Sequence, residues 1–299
     1  MPHPNPSILL VNKPPGITSF QALGRVKRHY GKRVGHAGTL DKFAQGLLIV
    51  LTGRLTRLNP LFMPLDKRYR AQILFGQETD TLDPEGEIIA TAPIPSYEAI
   101  SKAIEHFIGD IEQVPPAYSA LHVDGKRASD RVRSGETVVM KSRPITVHHF
   151  VPLTYENGIL EADILVSKGT YIRSLARDLG HAAGSCAHLV GLTRTEVGPY
   201  TLEEAVEISD TEALLSAATS TTDYLSRIEG MGRYTIEDRE VRPLGDGRYP
   251  ESLRNKRTYP MAMAFDGTGV LRAVLDCTKE RVLAQVAPYH DQEAPRATL

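Results

Sequence analysis

The chain has 299 residues, 41% of them hydrophobic and 24% charged, with a net charge of −1. That is enough apolar sequence for a buried core and, by length, for two domains, and no global charge announces nucleic acid or a membrane. The only cysteines, Cys186 and Cys277, have no metal-ligand spacing, and the apolar run Ile8 to Val11 is too short for a signal-peptide core, so the expected setting is the reducing cytoplasm, without membrane or metal.

The charge is segregated. Residues 1–65 hold nine Lys or Arg and a single acid, Asp41, whereas Leu202 to Leu225 holds six acids and no Lys or Arg. A balanced total can hide a basic face of the kind that meets phosphate.

In chain order, Ile8 to Lys13 reads as a strand closed by Pro14-Pro15-Gly16. Thr18 or Ser19 then caps a helix with Phe20, Leu23, Val26 and Tyr30 facing inward and Gly31 as its stop. Arg25, Lys27, Arg28, Lys32 and Arg33 crowd that helix and the next loop, which fits a solvated face or a phosphate-binding one equally well.

Gly35-His36-Ala37-Gly38-Thr39-Leu40-Asp41 follows, a glycine-spaced polar loop running into the apolar strand Leu47 to Leu51. Read alone, Asp41 is the N-cap of a helix beginning at Lys42. Its cationic surroundings should hold it ionised.

Tyr69 to Phe75 alternates as a strand and breaks at Gly76 into an acidic turn, Glu78 to Gly86, which reads as a hairpin connection without calcium-loop spacing. Ser96 to Ile108 has the spacing of an amphipathic helix, and Gln113 to Leu121 is a proline-stiffened loop. Lys126, Arg127, Arg131 and Arg133 make a second, diluted basic patch. Leu160 to Val166 alternates as a strand and gives way at Ser167-Lys168-Gly169-Thr170-Tyr171-Ile172-Arg173 to a helix closed by Gly180, placing Tyr171 and Arg173 near a helix N-terminus. Gly230 and Gly232 mark a boundary before short alternations, Gly269 to Cys277 and Arg281 to Ala287, that read as a hairpin.

Taken together, five ordered blocks resemble the bacterial pseudouridine synthases of the TruB family, which modify uridine 55 in the T-loop of tRNA. They are Lys13 to Ser19, Gly35 to Asp41, Lys67-Arg68-Tyr69 with Thr79-Asp80-Thr81, Pro115 to Ala120, and Ser167 to Arg173. The resemblance implies an α+β fold with a central mixed, mainly antiparallel sheet flanked by helices, here over residues 1–229. It also implies a small PUA-like, RNA-binding β domain over 230–299.

The implied reaction detaches uracil from ribose N1, turns it and rejoins it through C5, with no cofactor. The implied partner is the T-arm of tRNA, met by a monomer that needs no protein partner. Asp41 aligns with the catalytic aspartate, Arg173 with the arginine that pairs with it and would lower its pKa from about 3.9, and Tyr69 with the residue that stacks on the target base. Lys13, His36, Asp80, Tyr171 and Leu192 fall on substrate-contacting or supporting positions, and Arg25, Lys27, Arg28, Lys32, Arg33, Lys126 and Arg127 on an RNA-backbone surface.

The chain departs from the family pattern at Lys42, where proline is usual, at Gln45, where a small hydroxyl residue is common, and at Ala128 and Ser129, where an aromatic is usual. Two other readings stand beside the enzyme: a non-catalytic RNA-binding or RNA-folding protein, and the catalytic subunit of a guide-dependent pseudouridylase.

Overall fold

The computed structural model describes residues 6–119, 121–123, 125–216, 221–256 and 258–287. Ala120 of the proline loop, part of the acidic segment (217–220) and the end of the expected second domain (288–299) lie outside them. Eighteen strands occur among the described residues. They are β1 (Ile8–Lys13), β2 (Val34–Ala37), β3 (Gln45–Thr52), β4 (Lys67–Phe75), β5 (Gln77–Thr79), β6 (Ile88–Thr91), β7 (Gly109–Gln113), β8 (His122–Val123) and β9 (Lys126–Arg127). The later strands are β10 (Arg143–Glu156), β11 (Ile159–Val166), β12 (Ala187–Val197), β13 (Tyr200–Thr201), β14 (Val206–Glu207), β15 (Met231–Thr235), β16 (Met261–Phe265), β17 (Leu271–Asp276) and β18 (Arg281–Gln285).

Ten strands form one sheet, ordered β14-β1-β3-β12-β4-β11-β10-β7, with β2 added to β3 and β13 to β12. Its pairs are antiparallel except β1 with β14 and β3 with β12, so the expected mixed, mainly antiparallel α+β sheet is present. The two reading patterns of its strands follow from burial. β3 is a continuous apolar run because both of its faces are covered: Leu48 and Val50 meet the helix Ser19–Tyr30, while Leu47, Ile49 and Leu51 enter a different core on the other side. β4 alternates because only one face is covered. Tyr69, Ala71, Ile73 and Phe75 pack with the helices Tyr97–Ile104 and Ile172–Ala182, whereas Arg68 and Arg70 face outward and pair with Asp163, Glu196 and Glu161.

Three local expectations are corrected. Phe20 does not face inward; it is 71% exposed, and Ala22 takes the core place beside Leu23, Val26 and Tyr30. No helix starts at Lys42, so Asp41 is a loop residue and caps nothing. Gly180 is not a stop, because the helix continues to Ala182; a Cβ at Gly180 would lie 2.6 Å from the backbone nitrogen of Ala187, so glycine is there to let helix and β12 touch. Elsewhere the caps act as read: Thr18 and Gln21 form a capping box, Gly31 ends the first helix, and Ser96 accepts from the Ala99 amide.

Beyond Gly230, β15-β16-β17-β18 make a separate four-stranded sheet, and the expected hairpin is β17 with β18. One of its faces is closed by its own residues, Ala262, Ala264, Ala273 and Leu275 packing with Val241, Leu244 and Leu253, but the other is not closed on itself. Met263, Phe265, Leu271, Val274 and Ala284 share one buried cluster with Ile8, Leu10, Leu47 and Ile49 of the large sheet. No helix among the described residues is long and apolar enough to cross a membrane.

Candidate active site

The loop carrying Asp41 is clamped on both sides. The Ser19 hydroxyl accepts from the Leu40 amide and donates to the Leu40 carbonyl, both at 2.9 Å, and the Gly16 amide donates to the Lys42 carbonyl at 2.8 Å. Beneath it lies Arg194, 1% exposed, whose guanidinium donates to the Gly38 carbonyl at 3.1 Å and the Leu47 carbonyl at 2.8 Å. Gly38 has φ +81°, a backbone conformation that favours glycine, and a Cβ there would just touch Arg194 Nη1 at 3.4 Å. These contacts fix the one acid of the N-terminal region in a defined place.

Arg173, in the first turn of the helix Ile172–Ala182, approaches Asp41 from across the sheet. Its Nε lies 2.9 Å from Asp41 Oδ2, a charge contact not aligned as a hydrogen bond, and its Nη2 donates to Asp41 Oδ1 at 3.3 Å. The same guanidinium donates to the Thr81 carbonyl at 2.8 Å, the Tyr118 carbonyl at 3.0 Å and Asp83 Oδ2 at 3.2 Å. Arg173 and Asp83 are buried, while the Asp41 side chain keeps 37% exposure. Everything about this guanidinium is held except the side where Asp41 faces out.

Two anions on one cation change the electrostatics from the simple expectation. The Asp41 pKa is raised above the ordinary 3.8, first because the cleft strips water from the carboxylate, with the Asp83 charge adding to the rise. Arg173 and Lys13 oppose the shift without reversing it. Arg173 thus pulls this pKa down as expected, but the expected net fall below the ordinary value is corrected, because desolvation together with the Asp83 charge outweighs it.

The remaining expected residues are distributed as follows. Tyr69 on β4 is 9% exposed and shares a cluster with Leu40 and Ala44, the apolar residues on either side of Asp41, and with Leu192 on β12. Tyr171 precedes Arg173; its amide donates to the Gln113 side-chain oxygen at 2.8 Å and its ring lies under Arg143 at 4.8 Å. His36 sits on β2 with a buried, unpartnered Nδ1, and burial together with Arg194 lowers its pKa. Lys13 is buried beneath the turn it closes, donating to the carbonyls of Pro14 and Ile17 at 3.0 and 2.7 Å; burial lowers its pKa to about 8 even with Asp41 close enough to oppose the shift. Asp80 stands outside the pair: its carboxylate takes the Glu87 amide and the Tyr118 hydroxyl.

Of the RNA-backbone set, Arg25, Arg28, Lys32, Arg33, Lys126 and Arg127 are exposed, and Lys27 is half-buried over Phe20. None of the seven makes an ion pair within 4 Å among the described residues, although the Lys126 charge is felt by Glu136. The departures are also accounted for. Lys42 pairs with Glu85 at 2.5 Å, and the Gln45 amide donates to Thr193 Oγ1 at 3.1 Å across the parallel β3–β12 seam. Ala128 is buried and its amide donates to the Leu121 carbonyl.

Sequence reading missed Asp83, Arg194 and Gln113. Asp83 lay in the acidic turn as one of several acids; Leu82, with φ +62°, reverses the chain so that Asp83 points in while Asp80 points out. No periodicity carries that information. Arg194 and Gln113 are polar side chains in strands, where burial of a charge is the exception.

Residues 27–172 match the family model described as "TruB family pseudouridylate synthase (N terminal domain)", and residues 173–228 match "tRNA pseudouridylate synthase B C-terminal domain". The chain belongs to the TruB family. It is 46% identical over 201 residues to the tRNA pseudouridine synthase B of Borreliella burgdorferi strain ZS7, covering 66% of this chain and 71% of that one. It is 38% identical over 263 residues to the tRNA pseudouridine synthase B of Borreliella afzelii, covering 87% and 91%. Among solved structures, one of a Cbf5-Nop10-Gar1 complex matches with a TM-score of 0.63 at 20% identity, covering 95% of this chain and 84% of that chain, which establishes the shared fold. As a TruB-family pseudouridylate synthase the chain is an isomerase, converting uridine in RNA to pseudouridine.

Proposed function

We propose that the chain isomerises the T-loop uridine at position 55 of tRNA, acting alone and with Asp41, Arg173 and Tyr69 as its working residues. The observation that carries the reading is the Asp41–Arg173 contact at the exposed end of an otherwise buried guanidinium, within a chain of this family.

A uridine inside a folded loop must leave its stack before chemistry, at a few kcal/mol. Stacking on the ring of Tyr69 returns about 1–3 kcal/mol, and the basic N-terminal surface supplies attraction for phosphates regardless of sequence. With the base held, the Asp41 carboxylate acts as the nucleophile as the N1–C1′ bond breaks; the uracil turns, C5 joins C1′, and the bond from Asp41 to the substrate is broken so that the carboxylate is regenerated. The balance is simple: C5 loses a proton, N1 gains one, and nothing is oxidised or hydrolysed. In this reading Tyr69, stacked on the base, passes that proton. Arg173 keeps Asp41 oriented and its charge partly balanced.

The small C-terminal sheet is read as a PUA-like RNA-binding unit extending the surface that tRNA meets. The expected site of action is the cytoplasm.

Asp41→Asn preserves shape and removes the charge. The expected result is no release of tritium from [5-³H]uridine-labelled, unmodified tRNA, with tRNA binding retained; normal turnover by the variant would refute the assignment. Activity of the purified chain on bare transcript separates this reading from a guide-dependent subunit and from a non-catalytic RNA-folding protein.

A further inference from the structure

We propose that Phe20, backed by Lys27, is a stacking platform for an unpaired nucleobase of the substrate RNA next to the catalytic loop. This rests on the reading of the chain as a tRNA-modifying enzyme, and concerns a nucleotide other than the target uridine.

The sequence places Phe20 where a core residue would stand, yet it is 71% exposed and joins none of the buried clusters. Its position is not loose. The neighbouring Ser19 makes the two hydrogen bonds that hold Leu40, so the first turn of the helix and the residue preceding Asp41 move as one piece. Lys27 Nζ lies 4.6 Å from the ring centroid, so one face carries a cation and the exposure belongs to the rest of the ring.

One turn further along the same side is Gly24, with nothing within 4 Å of where a Cβ would be. Glycine is the poorest helix former after proline, and no packing contact explains it here. Its effect is to leave bare helix between Phe20 and Arg28, so that a chain can lie close. Arg28 is exposed beside this strip and Arg25 further round the helix, and the first turn contains no acid.

An aromatic ring with a cation behind it, open backbone and further cations without acidic partners are the parts of a single-strand nucleic-acid surface: the ring takes a base and the cations follow the phosphates. An anionic protein would use the cations but has no need of the ring.

The test uses the full-length protein and unmodified tRNA transcript, with Phe20→Leu, Phe20→Trp and Lys27→Gln. Phe20→Leu is expected to weaken tRNA binding about fivefold or more, the lower end of the stacking range of about 1 kcal/mol per base converted at 1.4 kcal/mol per tenfold. It should raise KM more than it lowers kcat and leave the salt dependence of binding unchanged. Phe20→Trp should restore wild-type affinity, and Lys27→Gln should reduce the salt slope by about one. Wild-type affinity in Phe20→Leu overturns the platform while leaving catalysis intact, as does equal loss in Phe20→Trp. Failure of the wild-type protein to form pseudouridine while binding tRNA overturns the catalytic reading instead, and the Phe20 comparison still decides the platform.

Discussion

Arg173 reaches Asp83 with one arm of its guanidinium, at 3.2 Å, while the rest of the group holds Asp41. The buried acid is the anchor, and in the proposed mechanism the partly exposed acid is the working end. Asp83→Asn keeps the shape but loosens the anchor. The expected outcome is a lower kcat with little change in tRNA affinity, and an acid limb of the pH profile shifted to lower pH, because the Asp83 charge is one of the causes that raise the Asp41 pKa. An unmoved acid limb would show that the two carboxylates do not sense each other.

Arg173→Lys replaces a fork by a point charge. Lysine cannot hold Asp41, Asp83 and the carbonyls of Thr81 and Tyr118 together, so activity should fall by about 100-fold or more. Arg173→Ala, which leaves Asp83 buried without its cation, should also lose about 3–5 kcal/mol of stability in denaturant unfolding.

The pH dependence has a definite sign. A carboxyl whose folded pKa lies above its unfolded value contributes stability below the unfolded value, and that contribution is lost as pH rises through the folded one. Ionised Asp41 thus opposes folding at neutral pH. Asp41→Asn should have a Tm at pH 7 equal to or above that of the wild type, the difference shrinking as pH falls towards the carboxylate range. In the proposed mechanism the ionised form is the nucleophile, so kcat/KM should fall with acid at a pH above the ordinary 3.8.

Lys42 and Glu85 join the catalytic loop to the acidic turn, but both side chains are about half in water, at 51% and 40% exposure. A double-mutant cycle should give a coupling of about 0.2–1 kcal/mol that vanishes in high salt. The lysine at a position where proline is usual in the family is then a surface contact, and replacing it should leave turnover unchanged.

Gly46 has φ +108°, and a Cβ would lie 2.3 Å from the Arg194 carbonyl oxygen on the facing parallel strand. Gly46→Ala should destabilise the protein by about 1–3 kcal/mol or more, measured by chemical unfolding.

Elements whose burial is one-sided or complete were legible in the sequence: β3 as an apolar run, β4 and β11 as alternations, Thr18 and Gly31 as caps. Asp41 and Arg173 were legible only through ordered blocks, since a loop Asp and a helical Arg are commonplace alone. What was not legible depends on partners distant in the chain. Phe20 has the helical phase of a core residue, and only the placement of the sheet shows that its side is uncovered. Gly180 looks like a stop until β12 is seen against it. The rise of the Asp41 pKa required knowing that the fold strips water from this carboxylate and sets Asp83 behind the same guanidinium.

The apolar cluster shared by β1, β3 and the four C-terminal strands bears on how this protein can be cut down. Removing everything after Gly230 would strip the lining from Ile8, Leu10, Leu47 and Ile49, two residues of which lie on the strand that leads out of the Asp41 loop. A shortened enzyme made that way would be a sticky, poorly soluble fragment, so a minimal version must carry the tail or replace its greasy underside with polar groups.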